Sequence, residues 1–206
     1  MADAERPQIY LSTPADFDPE TFADPLARVL DGAEVACLRL SLATRDEVRL
    51  SRAADALREI CHARDIALVI ENHVLLVDRL GLDGVHLTDG ARSIRKVRTD
   101  LGAEAIVGAF CGITRHEGIN AGEAGADYVG FGPVGDTPLG TGDRADTDLF
   151  AWWSEMIEVP VVAEGALTPE LVAALAPHTD FFGIGDEIWG QDDPLAALRG
   201  LIAPLG

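Results

Sequence analysis

Arg39 stands between two leucines in the run VACLRL, which is otherwise apolar. An arginine that points inward at the end of such a run is costly unless its charge meets an anion. Two readings follow: a cation for an anionic ligand, or an internal ion pair with Glu71 or Glu164. His86, inside GVHL, has the chemistry of a catalytic acid–base group and equally that of a hydrogen-bonded packing residue. Glu164, Asp186 and Glu187 are an odd accumulation of acid. Neighbouring carboxylates repel one another and repel phosphate, and they attract a divalent metal or an ammonium group. Adjacent strands lie ~4.8 Å apart, so two such groups at neighbouring strand ends can reach one ion. A solvated rim is the plain alternative. Gly165 and Ala166, just ahead of Thr168 at a helix start, offer backbone N–H groups to an anion. The stretch DYVGFGPVGDTPLGTGDRAD, from Asp127, reads as a strand entering a phosphate-handling loop, yet it holds no lysine.

Several chemistries are excluded. Lys96 is the sole lysine and lies in a helical segment, so a Schiff-base aldolase has no nucleophile. No GxSxG occurs, which removes the elbow hydrolases. Cys37, Cys61 and Cys111 are odd in number and lack CxxC spacing, so neither a disulfide framework nor a structural zinc site is indicated. Without a basic partner, Cys37 and Cys111 read as apolar fillers. His62, His73, His116 and His178 read as surface or loop positions. A net charge of −19, from 16 basic and 35 acidic residues, speaks against nucleic acid or anionic membrane as a partner. The N-terminus has no basic segment followed by an apolar one, and no apolar run approaches the ~20 residues of a membrane helix. The expectation is a soluble, cytoplasmic protein.

The elements that must position these residues alternate from end to end. Strand candidates are QIYL, VACLRL, ALVIE, GVHL, AIVGAF, DYVGFG, VPVVAE and DFFGIG, with helical spacing between them. After the second strand, Thr44 and Glu47 read as a capping box, and Leu50, Ala53, Ala54, Leu57 and Cys61 form one apolar stripe. Thr168-Pro169 reads as another helix start. Arg115 to Ala126 reads as a short helix, and core packing is the default for at least one of Trp152 and Trp153. Eight strand–helix units in 206 residues predict a single-domain (β/α)8 barrel over 1–206. An open doubly wound sheet is the rival, but eight strands are many for it and no GxGxxG follows the first. In a barrel the chemistry gathers where strands end: Arg39 and Ser41, Glu71 and Asn72, His86 to Asp89, Phe110 and Cys111, Gly132 to Thr141, Glu164 and Gly165, and Gly185 to Glu187.

GADYVGFGPVGDTP, GLDGVHLTDG and VPVVAEGAL resemble the late strands of the thiamine-phosphate synthases and the related TenI-like tautomerases, and the order of units matches over nearly the whole chain. The resemblance implies a barrel transferase of thiamine biosynthesis. Such a synthase couples an aminopyrimidine diphosphate to a thiazole phosphate with magnesium and releases pyrophosphate. It implies phosphate contacts for Arg39, Thr137, Gly165, Ala166 and Gly185, with His86 and Arg39 as catalytic candidates. It also implies Glu71, Asn72 and Asp89 as magnesium ligands, beside Glu164 or alternatively Asp186 and Glu187. Phosphorylated pyrimidine and thiazole compounds are then the partners, with a homo-oligomer possible.

The departures are specific. Of the family's glutamine-x-arginine-x-lysine strand end, only Arg39 survives, because Cys37 and Ser41 replace its neighbours. The lysine expected after Thr137 falls on Gly140. The second magnesium aspartate falls on Ala91, and the fifth-strand serine on Phe110. The tautomerase histidine is missing unless His116 reaches back. The small phosphate-binding residues of the last strand become Asp186 and Glu187. Weak activity is therefore expected. The competing readings are a non-catalytic barrel that binds a small ligand or protein partner, and a different barrel enzyme with an acidic, metal-binding mouth.

Overall fold

The computed structural model describes residues 6–137 and 143–206. Eight strands alternate with helices: β1 (Gln8–Ser12), α1 (Pro19–Gly32), β2 (Val35–Leu40), α2 (Glu47–His62), β3 (Ala67–Glu71), α3 (Val74–Leu80), β4 (Gly84–Leu87), α4 (Ile94–Leu101), β5 (Ile106–Phe110), α5 (Arg115–Ala124), β6 (Tyr128–Phe131), α6 (Thr147–Met156), β7 (Val161–Glu164), α7 (Pro169–Leu175), β8 (Phe181–Ile184), α8 (Asp186–Trp189) and α9 (Pro194–Ile202). Each strand pairs in parallel with the next, and Gln8 to Leu11 pair with Phe181 to Ile184, which closes the sheet into a barrel. The expected (β/α)8 architecture is present and the open-sheet rival is not.

Side-chain parity along the strands sets the two cores. Leu11, Leu38, Leu40, Leu68, Ile70, Val85, Val107, Val129, Phe131, Phe182 and Ile184 face the helices, and the stripe from Leu50 to Cys61 is buried against them as expected. The opposite parity fills the barrel, where Tyr10, Cys37, Val69, Tyr128 and Val162 make one compact layer. Two residues further along those strands, the same parity brings Ser12, Arg39, Glu71 and Glu164 to the C-terminal mouth, joined by His86 from β4. Glycines admit the bulky members: a Cβ on Gly108 would lie 1.9 Å from the Tyr128 ring, and one on Gly130 would lie 2.7 Å from Glu164 Oε1.

The opposite end is closed by a repeated device. Asp83, Asp127 and Asp180 stand just before β4, β6 and β8. Their carboxylates accept the backbone N–H of Leu68, Val107 and Val161 on the preceding strands at 2.7, 2.7 and 2.8 Å.

The helix starts correct one expectation. α2 begins at Glu47 with Asp46 as its cap, whose carboxylate accepts from the amides of Val48 and Arg49. Thr44 instead accepts from the amide of Asp46. The capping box does not form, because a carboxylate nearer the helix holds the free N–H groups. Thr168 caps α7 as expected. Trp153 is buried on Phe131, while Trp152 is partly covered and stacks with the Arg115 guanidinium.

Candidate active site at the barrel mouth

Arg39 is the hub. Its Nη2 donates to Glu164 Oε2 at 2.7 Å, its Nη1 to His86 Nε2 at 2.9 Å, and its Nε to Ser12 Oγ at 3.4 Å. Glu71 Oε2 lies 3.9 Å from Nε, and the guanidinium sits over the Tyr10 ring. The internal ion pair is therefore realised, with Glu164 as the close partner and Glu71 as the distant one. Both members of the close pair are only 12% exposed. The low-dielectric surroundings disfavour the charge of Arg39, but Glu164 more than offsets this and holds the guanidinium firmly protonated.

Arginine has no acceptor, so the nitrogen of His86 that meets it must be a bare lone pair. His86 is thus neutral, with its proton on Nδ1, where it donates to Tyr128 Oη at 3.0 Å. Tyr128 Oη in turn shares a 2.6 Å hydrogen bond with Tyr10 Oη. Burial, seconded by the charge of Arg39, drives the His86 pKa well below its ordinary value. Burial likewise raises both phenols well above theirs. Tyr10 and Tyr128 carry no charge in the sequence and went unread there. Their signal is the inward parity of the two strands together with Gly108, the position that makes room for a ring.

These shifts set a pH window. A histidine with a depressed pKa favours the fold above its unfolded value of ~6.5, and that contribution is lost as pH falls. A phenol with a raised pKa favours the fold below its unfolded value of ~10, and that contribution is lost as pH rises. Stability should hold between those limits. Since Tyr10 and Tyr128 are the chain's 2 tyrosines, phenolate absorbance should appear in a single cooperative step, together with unfolding, above about pH 10. Gradual titration of two phenols near pH 10 in protein that keeps its near-ultraviolet dichroism would contradict the buried arrangement.

The remaining site residues are divided among separate partners. Asn72 Oδ1 accepts the Thr88 amide at 3.0 Å, and Asn72 Nδ2 donates to Thr88 Oγ1 at 2.8 Å. Asp89 is exposed and accepts from Ser93 Oγ at 2.6 Å. Asp186 is exposed. Glu187 does not converge with Glu164: its Oε1 accepts the Leu167 amide at 3.1 Å and its Oε2 the Gly185 amide at 2.8 Å. The Glu187 carboxylate thus satisfies two backbone donors. Glu164 Oε1 is shut off from solvent and has no hydrogen-bond partner among the described residues. Among the described residues, no three His, Cys, Asp or Glu side chains group as a metal site. Of the four side chains expected to hold magnesium, Asn72 is engaged by Thr88, Asp89 by Ser93 and Glu164 by Arg39.

Thr137 ends the described part of the β6–α6 loop half-buried, and Gly140 lies outside the described residues. Ala166 and Gly165 take left-handed backbone angles ahead of Leu167. His116 bonds to Asn120 on the surface of α5 and does not reach the mouth. Lys96 pairs with Asp100 on the exposed face of α4. The three thiols are buried, and loss of hydration pushes each up to about 12, which fits fillers rather than nucleophiles. A cavity of about 660 Å³ opens over the ends of β4 and β5. It is bounded by Arg92 and Arg95 together with Asp89, Glu117 and Glu123, so its cations are offset by acid.

Comparison with known proteins agrees with this architecture over nearly the full length. Residues 9–183 match the family described as thiamine monophosphate synthase. Thiamine-phosphate synthase of Rhodospirillum centenum is 40% identical over 93% of this chain and 94% of its own. That of Erythrobacter litoralis is 36% identical over 95% of both chains. The solved structure of thiamine phosphate pyrophosphorylase from Pyrococcus furiosus superposes with a TM-score of 0.80, at 22% identity, over 96% of this chain and 95% of that one, and speaks for the fold. A closed barrel with its polar residues gathered at one mouth, matched along its length by these relatives, belongs to the thiamine monophosphate synthase family.

Proposed function

We propose that the chain is a transferase of the thiamine-phosphate-synthase type, joining an aminopyrimidine diphosphate to a thiazole with release of pyrophosphate. The observation that carries this reading is the guanidinium of Arg39, fixed at the C-terminal mouth of a barrel whose whole length resembles that family. A guanidinium has five N–H groups. Among the described residues Ser12, His86 and Glu164 take one each, which leaves two for the departing diphosphate. In this reading a bond to the diphosphate oxygen breaks as the two rings join, and Arg39 meets the charge that develops on the leaving group. Neutral His86 positions Arg39 from below and, through Tyr128 and Tyr10, ties that position to the barrel core.

Expression in cells that lack thiamine-phosphate synthase tests the proposal. In medium that supplies the thiazole alcohol, growth without added thiamine is expected, slow and dependent on Arg39. Failure to grow while the chain accumulates as folded protein would overturn it and favour a non-catalytic barrel.

A further inference from the structure

The loops after β7 and β8 each aim one backbone N–H at the same place. The amides of Leu167 and Gly185, from two separate loops, both end on the carboxylate of Glu187. Two convergent N–H groups in this part of a (β/α)8 barrel are where a phosphate group is frequently held. Here an anion is already seated on them, and it is the protein's own. Glu187 is half-buried and Asp186 beside it is exposed, so a second negative charge stands at the rim. Among the described residues, neither carboxylate has an arginine or lysine partner to lower the repulsion a phosphate would meet.

We propose that Glu187 is a specificity-determining residue. Its carboxylate fills the amide pair of Leu167 and Gly185 and bars a phosphate monoester from that place. Resting on the transferase reading above, this makes the second substrate a thiazole with a free hydroxyl in place of the phosphate. The coupling itself is unchanged, since the pyrimidine diphosphate still supplies the leaving group, and the product lacks the phosphate.

Inorganic phosphate is the direct probe, because its binding requires no turnover. Titration calorimetry of the full chain is expected to show no saturable phosphate binding, whereas Glu187→Ala gains it with an affinity raised about tenfold or more. Glu187→Ser is a second variant of the same kind, and thermal unfolding followed by circular dichroism verifies that each is folded. Equal phosphate binding by the unaltered chain and a folded variant, or no binding by either folded variant, would overturn the proposal. The unaltered protein gives an arm that needs no substitution: the thiazole alcohol is expected to bind at least about tenfold more tightly than its phosphate, and the reverse order would also overturn it. If neither thiazole binds while Glu187→Ala opens the site to phosphate, the transferase reading falls and the exclusion of phosphate by Glu187 stands.

Discussion

Replacing Arg39 by methionine is expected to lower the unfolding free energy by about 3–5 kcal/mol, the cost of removing one partner from a buried ion pair. The geometry puts this case at the upper side of that range. Among the described residues Glu164 Oε1 already lacks a partner, and the substitution would take the partner of Oε2 as well. It would also take from His86 Nε2 the donor it has among the described residues. Denaturant titration at pH 7 measures the loss. The pair itself is a different quantity, since a buried pair and an apolar pair of similar volume are often close in stability. The double variant Arg39→Met, Glu164→Met should therefore recover most of the loss. A single substitution costing under about 1 kcal/mol would show that Arg39 and Glu164 behave as a solvated surface pair.

With an aminopyrimidine diphosphate and a thiazole phosphate as substrates, kcat/KM is expected to fall about 10²- to 10⁴-fold below that of a family member carrying both mouth lysines. One charge-assisted hydrogen bond contributes roughly 1.5–3 kcal/mol, and two are missing. The described part of the β6–α6 loop holds one cation, Arg144, and it is paired with Asp136. Ser41 stands at one of the lysine positions and is hydrogen-bonded to Ser12. Lys96 is turned to Asp100 on the outer helices. Arg92 and Arg95 line a cavity they share with three carboxylates. Steady-state assays with both substrates and a magnesium salt decide the matter, and family-typical turnover would refute the expected deficit. Turnover restored when the thiazole alcohol replaces its phosphate would assign the deficit to Glu187 rather than to the diphosphate side.

The barrel was legible because its evidence is local. Eight runs such as VACLRL and ALVIE, separated by stripes such as Leu50 to Cys61, leave little other choice. Arg39 was legible as an inward cation for the same reason: parity and flanking leucines fix which way it points. Its partner was not, because Glu71 and Glu164 both lie at mouth positions and only their distances, 3.9 and 2.7 Å, separate them. Glu187 was read by its charge, as a ligand for cations. Its real partners are backbone amides from two loops, and main-chain donors leave no mark in a sequence. The start of α2 failed more simply, since Thr44 and Asp46 are both good caps and the helix uses the later one.

Asp83, Asp127 and Asp180 bear on how the chain folds. Each ties a strand to its immediate predecessor, across 15, 20 and 19 residues respectively. Closing loops of that length costs little chain entropy, and contacts so near in sequence form early. The expected order of assembly is by pairs, with β3–β4, β5–β6 and β7–β8 each latched at the foot before the ring exists. The seam between β1 and β8 joins opposite ends of the chain and can close only when the pairs are in place. Until it does, both of its strands present unpaired backbone edges to other molecules, so the hazard of aggregation during synthesis is concentrated at this one seam.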